Sequence, residues 1–138
     1  MKALEKMAQA FSRRHDYAGD WKARHGGKVM GYFCTYVPEE ILYAAGALPV
    51  RVMGVRQPED VTEPHIQSWW CPHCRSCLAD ALNGSFDYVD GIVIATTCSH
   101  IYQAFNSWKI NLSPSFAHKF WMPMNIRNSS APAFVEGQ

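Results

Sequence analysis

Apolar residues at Leu4, Met7, Ala8, Phe11, Ala18 and Trp21 recur at roughly helical spacing among charges, which predicts a surface-packing helix over about residues 1–24. Gly26-Gly27 stops it, and the pattern turns strand-like over Lys28-Val29-Met30-Gly31-Tyr32-Phe33. Cys34-Thr35-Tyr36-Val37 reads as a loop, and Pro38-Glu39-Glu40 opens the next helix. Proline at the first helical position and carboxylates in the first turn suit the unpaired N–H groups and the positive dipole end. Ile41, Leu42, Ala44 and Ala45 give this helix an apolar side, and Gly46 ends it.

Leu48 to Gly54 predicts a second strand, and the polar stretch from Gln57 to Glu63 a loop. Cys71 to Leu82 has helical character, with Leu78, Ala81 and Leu82 apolar and Asn83-Gly84 as a stop. Gly91-Ile92-Val93-Ile94-Ala95 is a continuous apolar run, the mark of a strand covered on both faces. Ser99 to Trp108 reads as another helix. Such alternation predicts an α/β fold, a parallel sheet flanked by helices. Sites in these sheets gather at the carboxyl ends of the strands, where Cys34 and Cys98 would lie. After Trp108 the pattern decays, with Phe120-Trp121-Met122 as a candidate strand. The organisation expected is an amino-terminal helix (1–25), an α/β domain (26–112) and an irregular tail (113–138) belonging to an incomplete domain.

Composition adds little beyond a globular class: 48% hydrophobic and 18% charged residues in 138. A formal net charge of +1 gives no bulk electrostatic case for nucleic acid or an anionic membrane as partner. The first residues never build a signal-peptide core, and no apolar stretch reaches the ~18 residues of a spanning helix. The expected location is cytoplasmic. In a reducing compartment the odd number of cysteines, five, points to ligands or buried thiols over disulfides.

Cys71, Cys74 and Cys77 form a C-x-x-C-x-x-C run, and Cys98 closes the apolar strand. Together they would supply the four thiolates that a [4Fe–4S] cluster takes. Two or three of them with His73 or His100 would make a tetrahedral zinc set. Helical geometry works against both, because positions 71 and 77 lie nearly two turns apart and one helix does not aim all three at one point. The plainer reading leaves one ligand in the run and the others as buried thiols. Glu39 and Glu40 read as first-turn helix charge before catalytic carboxylates. His65 and His100 are acid–base candidates. Trp69-Trp70 with Tyr32, Tyr36 and Tyr43 would line an aromatic pocket or simply fill a core. No dinucleotide, phosphate-loop or nucleophile-elbow pattern is present.

Tyr36-Val37-Pro38-Glu39-Glu40-Ile41-Leu42-Tyr43-Ala44-Ala45-Gly46-Ala47-Leu48-Pro49 reads Y-x-P-x-E-[IL]-x-x-A-A-G-x-x-P, and two further patterns follow in order. They are C-P-x-x-R-S-x-L at Cys71 to Leu78 and D-x-x-D-G-[IV]-[IV] leading to T-x-C at Asp87 to Cys98. Over roughly Trp21 to Trp108 the chain closely resembles the 2-hydroxyacyl-CoA dehydratase and benzoyl-CoA reductase subunit family. The resemblance implies a flavodoxin-like α/β iron–sulfur subunit working in a heterodimer with a homologous subunit. It also implies that a separate ATP-hydrolysing activator supplies electrons at low potential to a CoA thioester. Residue by residue, Cys71 and Cys98 match family cluster ligands, with a further ligand later in the chain than Gln138. Cys74 and Cys77 fall where the motif needs no cysteine, and Cys34 carries no assigned role. Ser99 stands where the family often has Asp.

The sequence reading is therefore an amino-terminal portion of a [4Fe–4S] subunit, with a slight lean, from Trp21-Lys22-Ala23-Arg24 and the following strand, towards the benzoyl-CoA reductase type. The chain alone is expected to be inactive. The rival reading is a non-catalytic zinc- or thiol-containing α/β module that binds a partner subunit.

Overall fold

The computed structural model describes residues 2–54, 59–112 and 116–120. Its order is α1 (Lys2–Ser12), α2 (Arg14–His25), β1 (Val29–Phe33), α3 (Glu39–Ala44), β2 (Leu48–Arg51), a 3-10 turn (Glu59–Thr62), α4 (Pro72–Leu82), β3 (Gly91–Ala95), α5 (Ser99–Leu112) and β4 (Phe116–Phe120). The strands form one parallel sheet in the order β2-β1-β3-β4, with Tyr32 opposite both Arg51 and Val93. That is the flavodoxin-like order as far as the fourth strand. The α/β fold with a parallel sheet flanked by helices is thus the one the sequence predicts.

All five residues of β1 and all five of β3 are buried, as the continuous apolar run demands of strands covered on both faces. Successive side chains point to opposite faces, so the sheet carries two cores. On one face Phe33, Ile92 and Ile94 meet Leu78 and Ala81 of α4 and Ile101, Ala104, Phe105 and Trp108 of α5. On the other, Met30, Tyr32, Val93 and Ala95 pack with Val37 and with Leu42 of α3. Pro49 sits in β2, which among the described residues pairs only with β1, and an edge strand tolerates the missing N–H.

Several boundaries differ from the sequence expectation. The amino-terminal helix breaks at Arg13 (φ −98°, ψ 11°). There the Ser12 hydroxyl donates to the Gln9 carbonyl and the Arg14 guanidinium to the Phe11 carbonyl, capping α1 with side chains. Instead of packing on the surface, α1 buries none of its residues, and Leu4 and Met7 remain 75% and 70% exposed. Gly26 ends α2 in the left-handed conformation with its N–H on the Lys22 carbonyl. Strand β2 is shorter than predicted, because after Arg51 the chain turns in towards α4 and Gly54 donates to the Cys77 sulfur at 3.1 Å. Helix α5 runs on to Leu112, and β4 begins earlier than the candidate strand at 120–122. Of that candidate only Phe120 falls in β4; Trp121 and Met122 lie outside the described residues. Among the described residues no helix is long and apolar enough to cross a membrane.

Candidate thiol site

From β1 the chain passes to β2 on one side and later to β3 on the other, so strand order reverses between β1 and β3. Ligand sites in open α/β sheets lie at the carboxyl ends of such a pair. Cys34 directly follows β1, Cys98 follows β3, and Cys71 opens α4 above the same edge.

Cys34 is the non-glycine residue with positive φ, 61°, among the described residues, a conformation that costs a side chain energy and concentrates at functional sites. Burial pushes its thiol up from the ordinary cysteine value, while a hydrogen bond from Thr97 and the charge of Arg51 act the other way. Cys71 occupies the N-cap of α4 and is half-buried, with Pro72 at the first helical position. Its backbone N–H donates to His100 Nδ1 at 2.8 Å, which assigns the proton of the neutral imidazole to Nε2. The Trp70 ring meets His100 edge-on at 4.5 Å between centroids. Cys98 is exposed, and its sulfur accepts the Ile101 N–H of the first turn of α5 at 3.4 Å.

Cys34 lies within electrostatic reach of both Cys98 and Cys71, and Cys74 feels the same two. Four thiols therefore gather at one edge of the sheet. Cys77 also feels Cys34 and Cys71, but from inside the core. Its sulfur turns the other way, bonded by Gly54 N–H, and burial pushes it up to about 12. Burial also holds the Cys74 thiol far above its ordinary value, so both interior cysteines are neutral at physiological pH. The helical argument against aiming 71, 74 and 77 at one point is met: Cys71 sits at the rim, Cys77 in the core.

Among the described residues no three His, Cys, Asp or Glu side chains stand closely enough to hold a metal ion unaided. The donor chemistry is that of a partial soft-ligand set, sulfurs at two helix N-termini. Thr96, two residues before Cys98, keeps a buried hydroxyl without a partner among the described residues. A thiolate-held cluster fits this edge provided other ligands complete it.

The remaining candidates separate. Glu39 accepts a short hydrogen bond from Tyr32, while Glu40 is exposed at the start of α3. Tyr36 and Tyr43 are exposed and Trp69 stacks on Trp70, so these aromatics line no common pocket among the described residues. His65 contributes its carbonyl to the Ser107 hydroxyl, a structural contact. A cleft of about 820 Å³ lies elsewhere, between α1, α2 and β2, and only Arg51 at its margin also acts on the thiol edge. Sequence reasoning named His100 but missed its bond to Cys71, and missed Thr97 altogether. The Cys71–His100 bond spans 29 residues and leaves no local pattern to read.

A family model described as 2-hydroxyglutaryl-CoA dehydratase, D-component, matches residues 34–138. A benzoyl-CoA reductase subunit from Thauera aromatica is 33% identical over 114 residues, covering 80% of this chain and 30% of that protein. The beta subunit of (R)-2-hydroxyglutaryl-CoA dehydratase from Acidaminococcus fermentans is 28% identical over 107 residues, 77% of this chain and 28% of that one. The (R)-phenyllactyl-CoA dehydratase beta subunit of Clostridium sporogenes is 26% identical over 113 residues, 82% and 30%. The chain thus spans less than a third of the length of these relatives.

Proposed function

The chain belongs to the 2-hydroxyglutaryl-CoA dehydratase D-component family, and on that premise we propose that it is the amino-terminal, cluster-bearing part of a 2-hydroxyacyl-CoA dehydratase or benzoyl-CoA reductase-type subunit. Cys71 and Cys98 are its ligands to a [4Fe–4S] cluster, and the α/β unit over residues 26–112 carries them. The observation that supports this reading is the pairing of those two thiols at the N-termini of α4 and α5, across the point where strand order reverses. Bound there, the cluster would supply low-potential electrons to the thioester of a CoA substrate.

The chain's own residues prepare the edge for that group. The Ile101 N–H of the first turn of α5 donates to the Cys98 sulfur. Hydrogen bonds to ligand sulfurs raise a cluster's potential, so this donor belongs to its tuning. His100 fixes the turn that presents Cys71, and Trp70, half-buried against the core, shields that bond from water. The partners in this reading are a homologous subunit, as the subunit names of the relatives suggest, and an ATP-dependent activator that reduces the cluster. The compartment is the cytoplasm.

Anaerobic incubation of the purified chain with ferrous iron, sulfide and a small thiol tests the assignment. The expected result is iron and acid-labile sulfide bound in equal amounts. One zinc per chain taken up in preference, with no labile sulfide retained, contradicts it and supports a zinc-holding partner-binding module.

A further inference from the structure

Cys71-Pro72-His73-Cys74 is a C-x-x-C segment laid across the start of a helix, with one sulfur at the rim and the other inside. Cys71 is the N-cap residue and half-buried; Cys74, in the first turn, is 1% exposed. The rise and radius of an α-helix put Cα atoms three positions apart about 5 Å from each other, inside the ~4.4–6.8 Å Cα range that a disulfide spans. Cys71 is also among the groups that act on the Cys74 thiol. Pro72 fixes the first helical residue, and Cys71 stands at the N-cap with its sulfur making no cap hydrogen bond to α4. An attacking thiol at a helix N-terminus with a covered partner three residues on is the arrangement of a dithiol–disulfide exchange pair.

We propose that Cys71 and Cys74 form a reversible intramolecular disulfide by exchange with low-molecular-weight disulfides, and that the oxidised form withdraws Cys71 from cluster binding. In the first step the Cys71 thiolate attacks one sulfur of the small disulfide, forming a mixed disulfide and expelling one small thiolate. The Cys74 sulfur then attacks the Cys71 sulfur and expels the second. Two protein thiols are oxidised, one small disulfide is reduced to two thiols, and the protons of the cysteines pass to the departing thiolates. Cys34 and Cys98 lie near enough to compete, but neither shares a helix turn with Cys71. Cys77 faces Gly54 and takes no part. Cys74, which the cluster does not need, gains a role: it makes the ligand Cys71 sensitive to oxidation. Only this consequence rests on the proposed function; the exchange chemistry stands on the cysteine pair itself.

The test uses the cluster-free chain in glutathione buffers of increasing oxidised fraction, quenched by alkylation and digested with trypsin. The peptide 57–75 contains Cys71 and Cys74 and no other cysteine, because Arg75 separates it from Cys77. Oxidation should make this peptide about 2 Da lighter and refractory to alkylation until reduced, as loss of two thiol hydrogens requires. Cys77→Ser should leave that result unchanged, and Cys74→Ser or Cys74→Ala should instead trap glutathione on Cys71. The oxidised chain should bind iron and sulfide at background level and regain the wild-type amount after reduction. A peptide 57–75 that stays fully alkylated, or one that crosslinks to the peptide holding Cys98 or Cys34, overturns the pairing. Undiminished iron loading of the oxidised chain overturns its link to the cluster. Failure of the reduced chain to load iron would count against the proposed function and leave the mass result standing.

Discussion

Asp90 ties together the amino-terminal helix and the start of the central strands. Its carboxylate accepts from the Val29 N–H at 2.9 Å and pairs with Lys22 and Lys28, each at 3.1 Å. Burial works against its charge, but those three donors outweigh it and hold the carboxyl below the ordinary value of 3.8. A depressed carboxyl contributes stability that is present above pH 3.8 and lost as pH falls through its folded value. Asp90→Asn should therefore cost about 1–3 kcal/mol at neutral pH, and urea midpoints should show the gap to wild type closing below pH 3.8. Tyr32 behaves in the opposite sense: burial, then its bond to Glu39, push it from 10.0 to about 12. Its contribution is intact below pH 10 and lost as pH climbs to about 12, so Tyr32→Phe should flatten that alkaline limb. At this scale the sequence was readable where chemistry is local. Glu39 and Glu40 do open a helix, as the proline before them implied. The Tyr32–Glu39 bond and the Asp90 cluster were not readable, because they join residues that only the folded sheet brings together.

Helices α4 and α5 carry the site because their inner faces are locked onto the sheet. Phe105 is 1% exposed and packs within the core formed with Phe33, Leu78 and Trp108. Phe105→Ala should destabilise the chain by about 3–5 kcal/mol, whereas Ile110→Ala, at an exposed position of the same helix, should stay within about 0.5 kcal/mol. Thermal or denaturant unfolding separates the two. The close approach of Gly54 to α4 is as strict. A Cβ there would meet Ser76 Oγ at 2.4 Å, the Ser76 carbonyl carbon at 2.5 Å and Cys77 N at 2.6 Å. Gly54→Ala should lower stability by about 1–3 kcal/mol, through the backbone shift it forces, whereas Gly19→Ala, inside α2 with open surroundings, should raise it by about 0.5–1 kcal/mol. Period and punctuation exposed β1, β3, α4 and α5 in the sequence, since long apolar runs and glycine stops are strong local signals. The break at Arg13 and strand β4 escaped, because each depends on contacts that hydrophobic spacing does not encode.

At the scale of the molecule, the order β2-β1-β3-β4 brings Cys34, Cys71, Cys74 and Cys98 to one edge although they span much of the chain. The sequence suggested that edge through strand ends, and the motif resemblance singled out Cys71 and Cys98 within it. What spacing alone did not separate was ligand from buried thiol: the three-residue rhythm of Cys71, Cys74 and Cys77 looks uniform, while the fold gives them a rim, a first-turn and a core position. The relatives extend well beyond the matched region, which agrees with a site that needs further ligands. The most direct measurement is iron retained after anaerobic reconstitution by five single Cys→Ser variants, at positions 34, 71, 74, 77 and 98. The account predicts that Cys71→Ser and Cys98→Ser lose most of the bound iron, while Cys34→Ser, Cys74→Ser and Cys77→Ser keep it. Full retention by Cys71→Ser or Cys98→Ser would contradict the assignment of those residues as the ligands.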